Sequence, residues 1–221
     1  MYSVTMKKHI VCFGDSNTFG YCADPSDTAS GWPGRFGEDE RWPCLLQKAL
    51  GEEYLVLEEG LSGRTTVFSD PIREGVDGLS YLFPCLVTHE PVSLLIIMLG
   101  TNDSKERFSA SPYCISMGMD RLVKKALASE CWAGEPRVLV VAPPPIDPRM
   151  TETDVAESMG AQAPAKSAAL AEKYRASAQM NGWAFYDAAG CEMNAVDYMH
   201  LTRKGHARLA KELAEQVRKL V

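Results

Sequence analysis

No stretch of this chain is apolar for long enough to cross a bilayer. The longest apolar runs, Ser93 to Gly100 and Val138 to Ile146, span eight to nine residues, whereas a spanning helix needs about twenty. Basic charge is scarce too: 23 Lys and Arg stand against 29 Asp and Glu, a formal net charge of −6. Neutralising phosphates is the largest sequence-independent part of nucleic-acid affinity, so neither DNA nor RNA is expected as a partner. The seven cysteines, at 12, 22, 44, 85, 114, 131 and 191, include no C-x-x-C pair and leave one over. That pattern argues against a disulfide framework and against a zinc cluster. They read as reduced thiols, mostly core filler, in a cytoplasmic enzyme. Also missing are G-x-G-x-x-G and G-x-x-x-x-G-K-[ST], which removes the usual dinucleotide and nucleoside-triphosphate sites. No cofactor and no metal are expected. The amino-terminal MYSVTMKKHIVCFGD has too few apolar residues for a signal-peptide core and no small-residue cleavage site, so export by that route is not expected.

What remains has the composition of an ordinary globular chain. Hydrophobic residues make up 46% and charged residues 24% of its 221 positions, which disfavours disorder and coiled coils. At about 150 residues per domain, and with no internal repeat or linker-like tract, residues 1–221 read as one domain. Short apolar runs recur at His9 to Phe13, Tyr54 to Leu57, Ser93 to Leu99, Arg137 to Val141 and Trp183 to Tyr186. Most are continuous rather than alternating, the pattern of strands covered on both faces. Helical patterns lie between them: Trp42 to Leu50 before Gly51, Pro112 to Ser129 after the N-cap Ser111, Pro164 to Asn181 before Gly182, and Arg203 to Leu220, each with recognisable end signals. Alternating strand and helix predicts an α/β fold, a three-layer α/β/α sandwich on a five-stranded parallel sheet, with ligands at the carboxyl ends of the strands. Two long connections, Cys22 to Arg41 and Pro143 to Ala163, are candidates for lids or subunit contacts.

Chemistry should therefore be sought just after the strands. The first ends in Gly14-Asp15-Ser16-Asn17-Thr18; Asp and Ser are common helix caps, and alone the tripeptide reads as capping. It is not a G-x-S-x-G elbow, because Thr18 stands where the second glycine belongs. Near the other end, Asp197-Tyr198-Met199-His200 precedes the last helix. A serine hydroxyl needs a base, and an imidazole with a pKa near 6.5 serves if a carboxylate orients it. Gly60, in the turn after the second strand, and Asn102, in Gly100-Thr101-Asn102-Asp103 after the third, could supply donors to an oxyanion. Each alone is an ordinary turn residue.

Together, and in this order, the four blocks resemble those of the SGNH hydrolases, also called the GDSL esterase/lipase family. The chain is most similar to the bacterial arylesterase/acyltransferase branch, over the stretches CFGDSNTFGY, EEGLSGRTT, LGTNDSKERF, VLVVAPPP and VDYMHLTRKGHARLA. The resemblance implies a flavodoxin-like SGNH fold, with Ser16 as nucleophile, His200 as general acid and base, and Asp197 as its orienter. It implies an oxyanion hole of Ser16, Gly60 and Asn102. Asn17 stands where the G-D-S-L pattern has leucine, and near the acyl group its polarity would disfavour long acyl chains. Phe19 and Tyr21 occupy positions that are often tryptophan in the arylesterase branch, and the loop from Ile146 to Ala163 has no counterpart in the pattern.

The reading that follows is a serine esterase acting on short-chain aryl or acetyl esters through an acyl-enzyme, with a small-molecule ester as partner and a homo-oligomeric state. Since the histidine must be neutral to accept a proton, activity should rise through a limb near about pH 6 to 7. An acyltransferase or carbohydrate deacetylase with the same Ser-His-Asp chemistry is the alternative, and a non-catalytic anion- or sugar-binding module a further one. His9 and His206 read as structural and His89 as a turn residue. Trp32, Trp42, Phe68, Phe83 and Phe108 could line a pocket or belong to the core or a subunit interface.

Overall fold

In the computed structural model the described residues are 6–221; Met1 to Thr5, the opening of the stretch examined above for a signal core, lie outside the described residues. Five strands form, β1 (Lys8–Gly14), β2 (Tyr54–Gly60), β3 (Val92–Met98), β4 (Val138–Ala142) and β5 (Ala184–Asp187). They pair in parallel in the order β2-β1-β3-β4-β5. Around them lie α1 (Ser16–Phe19), α2 (Trp42–Leu50), α3 (Gly78–Thr88), α4 (Pro112–Leu127), α5 (Ala156–Met159), α6 (Ala163–Ala168), α7 (Leu170–Asn181) and α8 (Arg203–Leu220).

The continuous apolar runs make sense once the pleat is applied, because successive side chains leave a strand on opposite faces. Val11 and Phe13 of β1, with Leu95 and Ile97 of β3, pack against Leu82 of α3, Ile115 and Leu122 of α4 and Tyr174 of α7. Their neighbours Ile10, Cys12, Leu94 and Ile96 pack instead against Trp42 and Leu46 of α2 and Leu209, Leu213 and Val217 of α8. Both faces of the sheet are thus dry, as all-parallel sheets require. The α8 stripe buries three aliphatic side chains completely, each stabilising by about 1.5–3 kcal/mol relative to exposure. Thr202 starts that helix, its hydroxyl accepting the Gly205 N–H at 3.0 Å.

Two elements differ from the expected pattern. Helix α3 lies in a segment with no helix expected, since its apolar residues show little one-sided periodicity and Pro84 stands in its interior. Asp77 begins it by accepting the Leu79 N–H at 2.9 Å, and burial of Leu82, Cys85 and Leu86 holds it. The expected helix from Pro164 to Asn181 is broken into α6 and α7 at Ala169, whose N–H bonds the Lys166 carbonyl three residues back, a tightened turn that ends the first piece.

The topology places the site. From β1 the sheet continues to β2 on one side and β3 on the other, with Gly14 in register with both Gly60 and Met98. The segments following these three strands therefore emerge side by side, and the crevice outside such a reversal point is where open α/β sheets hold ligands.

Candidate active site

Gly14 ends β1, and no side chain fits there: a Cβ would lie 1.9 Å from Thr18 Oγ1. The chain turns at once into α1, with Asp15 as its cap, its carboxylate accepting the Asn17 N–H at 3.0 Å. Ser16 is thus the first helical residue, and its own N–H has no partner within the helix. Its Oγ lies 2.8 Å from His200 Nε2 although 184 positions separate them. On the other side of the ring, His200 Nδ1 is 2.6 Å from Asp197 Oδ2. An ionised carboxylate can only accept, so Nδ1 carries the proton and Nε2 faces the serine hydroxyl as acceptor.

The carboxylate is itself held. Asp197 Oδ1 accepts the Asn194 amide at 2.8 Å, the Met199 N–H at 3.0 Å and the His200 N–H at 3.2 Å. Burial acts to raise its pKa, but the His200 ring, bonded and cationic when protonated, together with the Met199 N–H and Asn194 amide, outweighs burial and holds it below the ordinary carboxylate value. Asn17 fastens the two distant blocks together. Its amide donates to the Met199 carbonyl at 3.2 Å and accepts the Leu201 N–H at 2.9 Å, gripping the backbone on both sides of His200. The side chain expected near the acyl group is turned beneath the histidine segment and is 1% exposed.

Asn102 is buried at the end of β3, its amide donating to the Arg64 carbonyl at 3.1 Å and to Asp15 Oδ2 at 3.4 Å. The neighbouring Asp103 is a strut: it accepts the Thr66 N–H at 2.9 Å and the Thr66 hydroxyl, tying the segment after β2 to the segment after β3. Desolvation raises the pKa values of both buried carboxyls, Asp15 and Asp103, to about 6, despite the hydrogen bonds that oppose it.

Gly60 takes a different place from the one expected. It is the last residue of β2, in register with Gly14, and a Cβ there would stand 2.2 Å from the Phe19 nitrogen. Its role is to let α1 lie against the sheet. Three residues on, Gly63 lines the cavity that holds Ser16, Asn102 and His200. Its φ of +91° is a conformation that favours glycine, and a Cβ there would lie 2.7 Å from Arg73 Nη1. No spacing rule distinguishes these glycines in the sequence; only the turn after β2 does.

That cavity has a volume of about 180 Å3, below the range of drug-sized pockets. Tyr21 closes one side, its ring centroid 4.6 Å from that of His200. The Ile146 to Ala163 connection closes another, contributing Val155, Ser158 and Met159. Lys105 and Arg73 also line it; none of these five residues was singled out in the sequence. A larger cavity of about 650 Å3 lies behind the histidine turn, between Ile146, Pro164 and Tyr198, and does not include Ser16. Of the aromatic residues weighed above, Trp42 is core, Trp32 and Phe83 are exposed, and Phe68 packs on Phe108 with centroids 5.8 Å apart. His206 is fully buried and its Nδ1 accepts the Trp42 N–H at 3.2 Å. His89 is more than a turn residue, its Nε2 lying 2.6 Å from Glu59 Oε1.

The model of the GDSL-like lipase/acylhydrolase family matches residues 12–208, and the chain belongs to that family. Among solved structures it is similar to the native aryl esterase of M. smegmatis, at 40% identity over 97% of this chain and 100% of that one, with a TM-score of 0.87. It is also similar to Est24, a carbohydrate acetylesterase from Sinorhizobium meliloti, at 35% identity, 97% and 100% coverage and a TM-score of 0.84. A lipase/acylhydrolase from Enterococcus faecalis, 17% identical with a TM-score of 0.68 over 96% of each chain, shares the fold. No curated protein sequence matches the chain.

Proposed function

We propose that this chain is a carboxylic ester hydrolase that cleaves short-chain esters through an acyl-enzyme on Ser16. The observation that carries the reading is the continuous line from Asp197 Oδ2 through the His200 ring to Ser16 Oγ, with steps of 2.6 and 2.8 Å, opening onto the small cavity. Ser16 Oγ attacks the ester carbonyl as its proton passes to His200 Nε2. The resulting oxyanion is held by donors, each of which is worth about 10²- to 10³-fold in rate. The donors in this reading are the Ser16 N–H, the Asn102 amide and the N–H of Gly63, which lines the cavity and takes the place that the resemblance gave to Gly60. His200 returns its proton to the departing alcohol, and a water deprotonated by the same ring then frees the acid. No cofactor enters these steps.

A cavity of about 180 Å3 favours acetyl over long acyl groups. The acetylesterase and aryl esterase names of the similar structures support an acetyl ester of a sugar or phenol. An alcohol replacing water in the second step would make the same site an acyltransferase. A single domain, a cytoplasmic setting and self-association complete the proposal. All seven cysteines are free, as a reducing compartment allows, and Trp32 and Ile72 are large apolar side chains exposed on loops.

The test is a panel of acetyl, butyryl and octanoyl esters, with acetylated sugars included. Turnover should fall with chain length and vanish in Ser16→Ala. Full turnover by that variant would overturn the reading.

A further inference from the structure

The wall of the Ser16 cavity carries two cations and no acidic side chain. One of them, Lys105, is more than nine-tenths buried, which is uncommon for a lysine without a partner. Among the described residues its ammonium makes no ion pair and no hydrogen bond. The nearby carboxyls are engaged elsewhere: Asp70 faces Arg107 at 3.5 Å, and Asp15 takes the Asn17 N–H and the Asn102 amide. Burial, reinforced by Arg107 and Arg73, lowers the lysine's pKa, and the nearby Asp70 and Asp15 offset this only in part.

The second cation, Arg73, is exposed at the cavity's edge, and its Nη1 lies over the backbone of Gly63. It likewise makes no side-chain ion pair among the described residues. The same lining includes Val155, Met159 and Met199, which offer only apolar contact and no charge. The cavity thus combines apolar and cationic side chains with Ser16 in one lining.

We infer that the esters this site prefers carry a carboxylate near the scissile bond, received by Lys105 within the cavity and Arg73 at its rim. The inference rests on the esterase reading and narrows its substrate class. An ammonium that reaches a small cavity at the end of an otherwise buried side chain makes a charge-assisted hydrogen bond to a carboxylate with less competition from water than at an open surface. An uncharged ester would leave it unpaired. Arginine at the rim adds a planar fork suited to the same group.

Matched pairs test it. On the alcohol side, 3-acetoxybenzoate is compared with 3-acetoxybenzamide, and on the acyl side 4-nitrophenyl hydrogen adipate with 4-nitrophenyl hexanoate. The anionic member of at least one pair should have the higher kcat/KM by about tenfold, the advantage expected of one hydrogen bond between charged partners. That ratio should fall toward one in Lys105→Met and in Arg73→Gln, and should shrink as salt is raised. Arg73→Gln changes an exposed side chain, so at least one variant reads binding without disturbing a buried one. Equal kcat/KM within both pairs would overturn the inference, and so would variants that slow both members equally, which is what cations serving only the oxyanion would do. Ser16→Ala separates the two levels. If it abolishes turnover while the pairs remain equal, the esterase stands and the carboxylate preference falls; if it leaves turnover intact, the esterase reading itself falls.

Discussion

Asn17 illustrates how one side chain can set a catalytic geometry without touching the substrate. It sits in α1 beside Ser16, the proposed nucleophile, and holds the backbone of Met199 and Leu201, so the 2.8 Å contact between Ser16 and His200 is fixed by a neighbour of each. Leucine at this position, the residue of the G-D-S-L pattern, has the same branching but is bulkier and would release both hydrogen bonds. Asn17→Leu should lower kcat on the order of 10- to 100-fold, since small misplacements of a reacting group cost that much. KM for a short ester should change less than kcat, because Asn17 itself does not line the cavity. Steady-state kinetics on an acetyl ester read this split, and a rise in KM at constant kcat would contradict it. Gly60 and Gly63 make the complementary point: one glycine is required by the backbone of Phe19 and the other by its own positive φ, and two different demands look alike as letters.

At the scale of elements, the site is shared among strand ends that are rigid and a connection that is not part of the sheet. Ser16, Asn102 and the turn after β2 are anchored to neighbouring strands. The far wall is supplied by the long connection after β4, where α5 presents Val155 and Met159 beside Met199. Acyl length should therefore be set by this connection. Met159→Ala should raise the ratio of butyryl to acetyl kcat/KM by about tenfold, the scale of discrimination that a missing methylene or two gives in an apolar pocket. The ratio is internal to one preparation, so a reduced folded fraction does not disturb it. An unchanged ratio would place the acyl group against another wall.

For the molecule as a whole, buried ionisable groups couple folding to pH in opposite senses. Burial in an apolar setting moves His206 from its ordinary value near 6.5 down to about 3. The unfolded chain then binds a proton between those values that the folded chain refuses, so this group's contribution falls as pH falls below 6.5. Asp15 and Asp103, raised to about 6, act the other way: folding binds their protons, and that contribution is lost as pH rises through 6. The difference between the wild type and His206→Asn isolates the first effect. The wild type should lose about 2 kcal/mol more than the variant between pH 7 and pH 5, measured by denaturant unfolding at both values. Parallel pH dependences would show that His206 is not held neutral.

Most of the order of strands and helices, the layering and the interest of Ser16, Asn102, Asp197 and His200 were legible in the sequence, because burial on both faces leaves continuous apolar runs and because four blocks, each ordinary alone, follow the strands in an order that resembles a known family. Helix α3 was not, since its exposed face also carries apolar residues, Tyr81, Phe83 and Val87, which hide the one-sided periodicity that betrays a helix. Nor were the break at Ala169, the choice between Gly60 and Gly63, the grip of Asn17, or the cations Lys105 and Arg73. Each of these depends on what a side chain meets from a segment distant in sequence, and sequence spacing reports only neighbours along the chain. Tertiary packing alone decided that a serine and a histidine 184 positions apart should meet in a small cavity with cations in its lining.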